Sequence, residues 1–530
     1  MKITRKLIFT CLGGFATAFC IVAGSSFDKY DNLDWTGAAF YRKLFIASVA
    51  AIICTYAVWE GLTYLRQKKP WEKRHIFKKT LKAPKYWACV LLLLLCWLPA
   101  LLSIFPGVFA YDAYDEWQQI VSGTITSHHP VLHVLVLGGL VEGIHALTGS
   151  YNAGIVVYSI LQMFLLANIF AYSIRLLAKL QKVSPIWQYI ALAFYCLSPV
   201  IQLFSICATK DVLFAGAQLL FYQFVFGFYY DRKSFFAERG NRTGFALSAF
   251  FTMTMRNNGL YIVIIVCGIM ACSVLLKDKQ YRKGLLLPLF FVFLAYGMYT
   301  GPFYRMLSVK SGGIEEMLSV PIQQMARVYR YDYESLDSEE VELLYKVLPK
   351  EYLESYRPTV SDFVKRGFQR EAFEAEKKAY LKLWVKWGLE HPLTYINSFF
   401  INTVDGWYPF AVVDGYRNDK NNFYDYRVAE PGTEVVLLPS VHAYYEAISH
   451  DRAVQENGWS FLFLSPGWYF LMFLHMFLYA WSRKKYADVI AMLVMLLNFL
   501  TVLLGPMALV RYVLIFYYGF PAMLATGFRE

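Results

Sequence analysis

Trp87-Ala-Cys-Val-Leu-Leu-Leu-Leu-Leu-Cys-Trp-Leu-Pro-Ala-Leu-Leu-Ser-Ile-Phe105-Pro-Gly-Val-Phe-Ala-Tyr-Asp112-Ala-Tyr-Asp115-Glu116-Trp-Gln-Gln119 joins an uncharged run to a cluster of acids. Residues 87–105 carry no charge and, as a helix rising about 1.5 Å per residue, nearly span the roughly 30 Å hydrocarbon core of a bilayer. Similar runs recur at 7–25, 43–64, 152–174, 186–207, 211–230, 243–255, 259–276, 285–301, 460–481, 487–505 and 508–527. Composition agrees, with 57% hydrophobic and 17% charged residues against about 45–50% and 25% in soluble domains. The expected fold is an all-α polytopic membrane protein with about twelve transmembrane helices. The first run ends Gly-Ser-Ser, a poor cleavage site, so it reads as a retained helix rather than a signal peptide.

Charge then orients the chain. Basic clusters at Lys2–Lys6, Arg66–Lys85, Arg175–Lys182, Arg232–Arg242, Lys277–Lys283 and Arg483–Lys485 all fall between spans on one side. By the positive-inside rule that side is the cytoplasm, and both termini lie there. The net charge of +12 is therefore mainly a topology signal and not a nucleic-acid footprint. Parity fails if Val131–Leu147 also crosses. That stretch holds His133, Glu142 and His145, costly in lipid, and reads as an interfacial or re-entrant helix on the outer face.

The resulting organisation has four parts. Residues 1–86 form two transmembrane helices and a basic cytoplasmic loop, and 87–301 a transmembrane module with the outer loop 106–151. Residues 302–458 form a mainly helical extracytoplasmic domain, and 459–530 three further transmembrane helices. The nine cysteines sit in or beside apolar runs, so no disulfide framework is expected. The sequence contains no phosphate-binding glycine loop of the nucleotide-binding type.

Polar residues near the spans gather at their outer ends. If Asp112 opens a helix, Asp112, Asp115, Glu116 and Gln119 share one face. Asp112 also suits an N-cap, and the next two acids suit the helix dipole. Clustered acids can instead have a carboxyl raised to serve as general base. Ser127-His128-His129-Pro130 follows, with His133 one turn later. Divalent metal ligation, substrate hydrogen bonding and simple helix-end packing all fit these histidines. Lys210-Asp211 opens one span, Arg256-Asn257 joins two others, and Arg511 lies just inside the last. Three cations at headgroup depth suit a phosphate or pyrophosphate, and lipid snorkelling is the plainer alternative.

The order of Phe105-Pro-Gly-Val-Phe-Ala-Tyr-Asp112, His129-Pro130-Val-Leu-His133, Thr209-Lys-Asp211-Val-Leu-Phe-Ala-Gly216 and Arg256-Asn-Asn-Gly-Leu-Tyr261 resembles GT-C membrane glycosyltransferases. These include protein O-mannosyltransferases and the aminoarabinose transferase. The closer resemblance is to an uncharacterised bacterial family of such proteins, with Glu316–Arg327, Gly406-Trp-Tyr-Pro409 and Arg511-Tyr512 fitting the same pattern.

The resemblance implies a polyprenyl-phosphate sugar donor and a glycan, lipid or protein acceptor outside the plasma membrane. It implies that one of Asp112, Asp115 and Glu116 acts as base, Asp112 being the best match. Lys210, Arg256 and Arg511 would hold the donor phosphate. His128, His129, Gln119, Asp211, Asn257, Gln324 and Arg327 would position substrate. Metal dependence varies across that superfamily. A lipid-linked glycan polymerase or ligase is the alternative. A transporter or flippase fits less well, because midplane charges are scarce.

Overall fold

The computed structural model describes residues 2–68, 82–411 and 423–528. Most of the basic stretch Arg66–Lys85 therefore lies outside the described residues. Among the described residues the regular structure is helical, with isolated β-bridges and no extended strands. The protein is an all-α, multi-pass membrane protein.

Among the described residues eight helices are long and apolar enough to cross a membrane, and a ninth if one bent pair counts as a span. Val131–Thr148 is one of the eight. The bent pair, Pro185–Leu197 and Pro199–Ser205, turns by 62° at Ser198-Pro199. There the proline ring removes a backbone donor and disfavours helix at the preceding residue. Four expected spans fall short of that length or are broken. Arg239–Met255, Pro466–Ser482 and Tyr486–Val502 have 17 residues each. The stretch 508–527 splits into Val510–Val513, Leu514–Tyr518 and Phe520–Phe528, with Gly519 and Pro521 at its second break.

Lys210–Tyr230 is the centre of the bundle, with buried residues on every face. A helix apolar all round has to be enclosed by others. It packs on Tyr151–Lys179, Arg239–Met255, Tyr486–Val502 and Leu514–Tyr518. Two buried amides bridge helices: Gln218 Nε2 donates to Asn498 Oδ1 at 3.1 Å, and Gln223 Nε2 to Ser173 O at 3.1 Å, while neither Oε1 has a hydrogen-bond partner among the described residues.

The two ends of the bundle differ. At one end the basic clusters meet: Lys179 pairs with Glu238 and donates to Asn241 Oδ1 at 2.9 Å, and Arg232 pairs with Asp278. At the other end Lys210, Arg256 and Arg511 approach Asp112 and Asp211.

The segment 302–458 divides between two cores. Residues from Ile314 to Tyr395 form a small helical unit with its own apolar core, including Met325, Leu344, Tyr380 and Trp387. The following helix, Pro392–Trp407, puts Ile401, Val404 and Trp407 into the core of the main bundle, as do Phe423, Tyr424 and Tyr445 further on. The unit rests on the end of the bundle that holds the acids. Ser361 N donates to Pro506 O at 3.0 Å, and Val360 packs on Met507 and Leu509.

Candidate active site

The Phe105-Pro-Gly turn places Asp112. Gly107 has φ +117°, and a Cβ there would stand 2.3 Å from Ser159 Oγ, so a side chain is excluded. Past this turn the chain runs beside residues 206–208: Val108 N donates to Ile206 O at 3.0 Å, and Ala208 N to Val108 O at 2.9 Å. Residue 208 is two short of Lys210, so the pairing brings the acid loop to the start of the central helix. Tyr111 takes the left-handed conformation at φ +55°. Its hydroxyl accepts from Asp425 N at 2.9 Å, and the Arg511 guanidinium lies 4.6 Å from its ring centre. Contacts on both sides hold a backbone state that a bulky residue seldom adopts.

Asp112 sits at the N-cap of helix Ala113–Val121 but makes no capping bond. Its carboxylate instead accepts from Arg511 at 2.8 Å (Oδ2) and 3.2 Å (Oδ1), and pairs with Lys210. Burial raises its carboxyl, but Arg511, Lys210 and His129 outweigh that and hold it well below the usual range. A quarter of the side chain stays exposed, so the carboxylate remains reachable.

Glu116, one helical turn on, is buried. It pairs with His133 and lies 3.3 Å from Lys210 Nζ. Burial opposes its ionisation, yet His133 and Lys210 hold it down to about 2. Asp115 lies on the exposed side of the same helix, where partial desolvation and the Asp112 charge push its carboxyl up.

Lys210 is the hub. Its ammonium also donates to His129 Nδ1 at 3.1 Å, so this nitrogen is an acceptor and the ring is neutral. Burial and the Lys210 charge take His129 down to about 4. Asp211, the next residue, pairs with Arg256 and lies 3.5 Å from Arg511 Nη1. Arg256 also lies 4.4 Å from the Tyr512 ring centre, and Arg511 4.8 Å. Arg511 Nε is buried with no hydrogen-bond partner among the described residues.

Asp112, Glu116 and His129 each offer one ligand atom within 4.8 Å of the others, close enough to hold a divalent ion. The Lys210 ammonium already touches all three, so a metal and this ammonium would compete for one place.

Beneath Glu116 runs a directed hydrogen-bond chain. Gln162 Nε2 donates to three backbone carbonyls: Cys207 at 2.7 Å, Ser205 at 3.1 Å and Phe204 at 3.4 Å. That orientation leaves Gln162 Oε1 to accept from the Tyr158 hydroxyl at 2.9 Å. The Tyr158 oxygen then accepts from His133 Nε2 at 2.7 Å, while His133 Nδ1 faces the Glu116 carboxylate. His133 thus links the Glu116 carboxylate to the Tyr158 hydroxyl.

The remaining sequence candidates scatter. Gln119 Oε1 accepts from Thr126 N at 2.8 Å, and Asn257 Nδ2 donates to Ser127 O at 3.2 Å, so both brace the loop that carries the histidines. His128 is exposed, 3.9 Å from Glu316. Gln324 bonds Trp384 and Arg327 bonds Tyr356, Asp31 and Asn32, so both serve the small helical unit and do not reach the acids.

Residues 119–530 match a family of unknown function, DUF6020. The chain belongs to that family. No curated protein and no solved structure matches it. In this DUF6020 member the cations Lys210, Arg256 and Arg511 fall inside the matched region, and Asp112, Asp115 and Glu116 just precede it. Sequence reasoning left Tyr158, Gln162 and Tyr111 out of the site. Neither the tyrosines nor a glutamine inside an apolar run differ in sequence from ordinary core residues. Tyr512 was visible only as the neighbour of Arg511.

Proposed function

We propose that this protein is a GT-C-type glycosyltransferase. It moves a sugar from a polyprenyl-phosphate-linked donor to an acceptor on the outer side of the plasma membrane. The observation that carries this reading is Asp112, a reachable carboxylate gripped by Arg511 and Lys210 at one end of a bundle of apolar helices.

Charge supports an anionic ligand. Three cations, Lys210, Arg256 and Arg511, converge on the carboxylates Asp112 and Asp211. The unpartnered Arg511 Nε is a further donor for a phosphate oxygen.

In this reaction the acceptor hydroxyl oxygen attacks the anomeric carbon as Asp112 takes its proton. The bond from that carbon to the donor phosphate breaks, and polyprenyl phosphate leaves with the electron pair. Arg511, Lys210 and Arg256 offset the charge that grows on the leaving group, an effect worth a few kcal/mol per donor. A cation-clamped Asp112 is a weak base. A donor phosphate that takes over part of Arg511 and Lys210 loosens the clamp, so donor binding makes Asp112 more basic. Should a divalent ion be held, Asp112, Glu116 and His129 are its ligands.

The accompanying topology has about twelve crossings, both termini in the cytoplasm and the acid cluster outside. Val131–Thr148 then lies obliquely at the outer face. Two contacts support that. Val141 meets Gly154 and His133 meets Tyr158, so eight residues along one helix match only four along the next. Two antiparallel spans in register would advance equally.

The test is transfer of labelled sugar from a polyprenyl-phosphate donor by the purified protein in vesicles supplied with cell-envelope acceptors. Transfer by the native protein and its loss in Asp112→Asn, with melting behaviour retained, are expected. No transfer from any such donor, together with unchanged envelope glycans in a deletion strain, rejects the function. Cysteine labelling that puts residue 112 inside rejects the topology.

A further inference from the structure

Apart from the acid–cation cluster, the turn after the first helix and the small helical unit flank an open cavity of about 490 Å³. That is within the range of roughly 300–1,000 Å³ typical of small-molecule sites. Its lining mixes exposed aromatic rings with fixed polar groups.

Tyr30 and Tyr331 stand at the cavity with 65% and 57% of their surface exposed. Trp35 adds a wall, held by its Nε1 donating to Asn397 Oδ1 at 2.7 Å. Asn397 is itself buried, and its Nδ2 donates to Leu33 O at 3.1 Å. Arg327 is buried too, and its terminal nitrogens donate to Tyr356 Oη at 3.1 Å, Asp31 O at 2.8 Å and Asn32 Oδ1 at 3.3 Å. The pocket is thus organised before anything enters it.

Charge narrows the ligand. Asp31, Asp34 and Asp332 line the cavity; the cations beside them are Arg327, whose terminal nitrogens are already engaged, and Lys29, 5.1 Å from the Tyr30 ring centre. That balance repels phosphates and other anions. Asp332 uses Oδ2 on the Thr394 hydroxyl at 2.7 Å and near His391 at 3.4 Å, which leaves Oδ1 to accept from a ligand. Flat aromatic faces match the C–H faces of a sugar ring, and carboxylate and amide oxygens match its hydroxyls.

We propose that this cavity is a binding site for a neutral saccharide, one or two pyranose rings in size. Its use as an acceptor subsite rests on the transferase reading and makes the acceptor a glycan; the binding itself does not depend on that reading.

Saturation-transfer NMR tests it on the full-length protein in nanodiscs free of sugar detergents. The probes are methyl glucoside, methyl galactoside, methyl mannoside, N-acetylglucosamine, choline and inorganic phosphate. At least one neutral pyranoside is expected to bind, at least fivefold more weakly in Tyr331→Ala and in Asp332→Asn, and unchanged in Asp112→Asn. Because Tyr331 is exposed, its variant tests the site even if a more buried substitution misfolds. Absence of pyranoside binding overturns the proposal. So does pyranoside binding that both pocket variants leave intact, or a preference of this pocket for choline or phosphate. Saccharide binding without any transferase activity would keep the site and reject the transferase.

Discussion

Both ends of the bundle contain lysine, arginine and carboxylate, but the two ends use them differently. At the basic end Lys179 and Glu238 keep 29% and 53% of their side-chain surface exposed. At the other end Lys210 and Arg511 keep 8% and 6%, and Glu116 and Asp211 almost none. A solvated pair gains little, because water screens it and side-chain order costs entropy. A buried pair is costly to form, and breaking it leaves a charge without solvent. Identical residue types therefore form solvated pairs at one end and a preorganised electrostatic cluster at the other.

The contrast can be broken in order of expected effect. Asp112→Asn keeps shape but removes the charge, and should lower sugar transfer by about 100-fold or more, the scale of a lost general base. Asp115→Asn in the same assay should retain most activity; the reverse result would move the base to the exposed acid. Arg511→Ala should come next. It leaves Asp112 and Asp211 short of a partner and should cost about 3–5 kcal/mol, read as a large fall in melting temperature. A small fall would mean that the buried end behaves like the solvated one.

Acid titration sharpens the same contrast. An unfolded histidine takes a proton near 6.5, whereas folded His129 takes one only near 4. Its stabilisation is therefore complete above pH 6.5 and declines as pH falls toward 4. Glu116 is protonated near 4.5 when unfolded and near 2 when folded, so its contribution declines between those values. His129→Gln should flatten the upper part of the melting-temperature profile and Glu116→Gln the lower part. The smallest effect belongs to the basic end, where Lys179→Ala should change stability by about 0.2–1 kcal/mol.

The sequence made some of this legible. Charges at the ends of apolar runs stand out, so Lys210, Asp211, Arg256 and Arg511 could be named, and their convergence is what the fold supplies. The spacing of Asp112 and Glu116, one turn apart, was equally readable. The outward position of Asp115 was not. It depends on rotation of a nine-residue helix, pinned by Trp117 Nε1 donating to Glu142 Oε1 at 2.5 Å, a long-range contact. Gln324 and Arg327 misled for a related reason. They follow the last span of the membrane module in sequence, but their helix turns its polar face toward Trp384 and the 31–32 turn. The second break in the last expected span also escaped, because Gly519 and Pro521 interrupt an apolar run whose composition alone looks continuous.

Lys210 and Asp211 are adjacent in the chain yet serve opposite halves of the cluster, one holding Asp112, Glu116 and His129, the other Arg256 and Arg511. Both are therefore set by the phase of a single helix start. Inserting or deleting one residue just after Asp211, inside this helix, would rotate that start by about 100° against the packed remainder and uncouple both halves at once. The junction should tolerate conservative substitution far better than any change in length, and a length change there should mark where descendants of this chain have abandoned its chemistry.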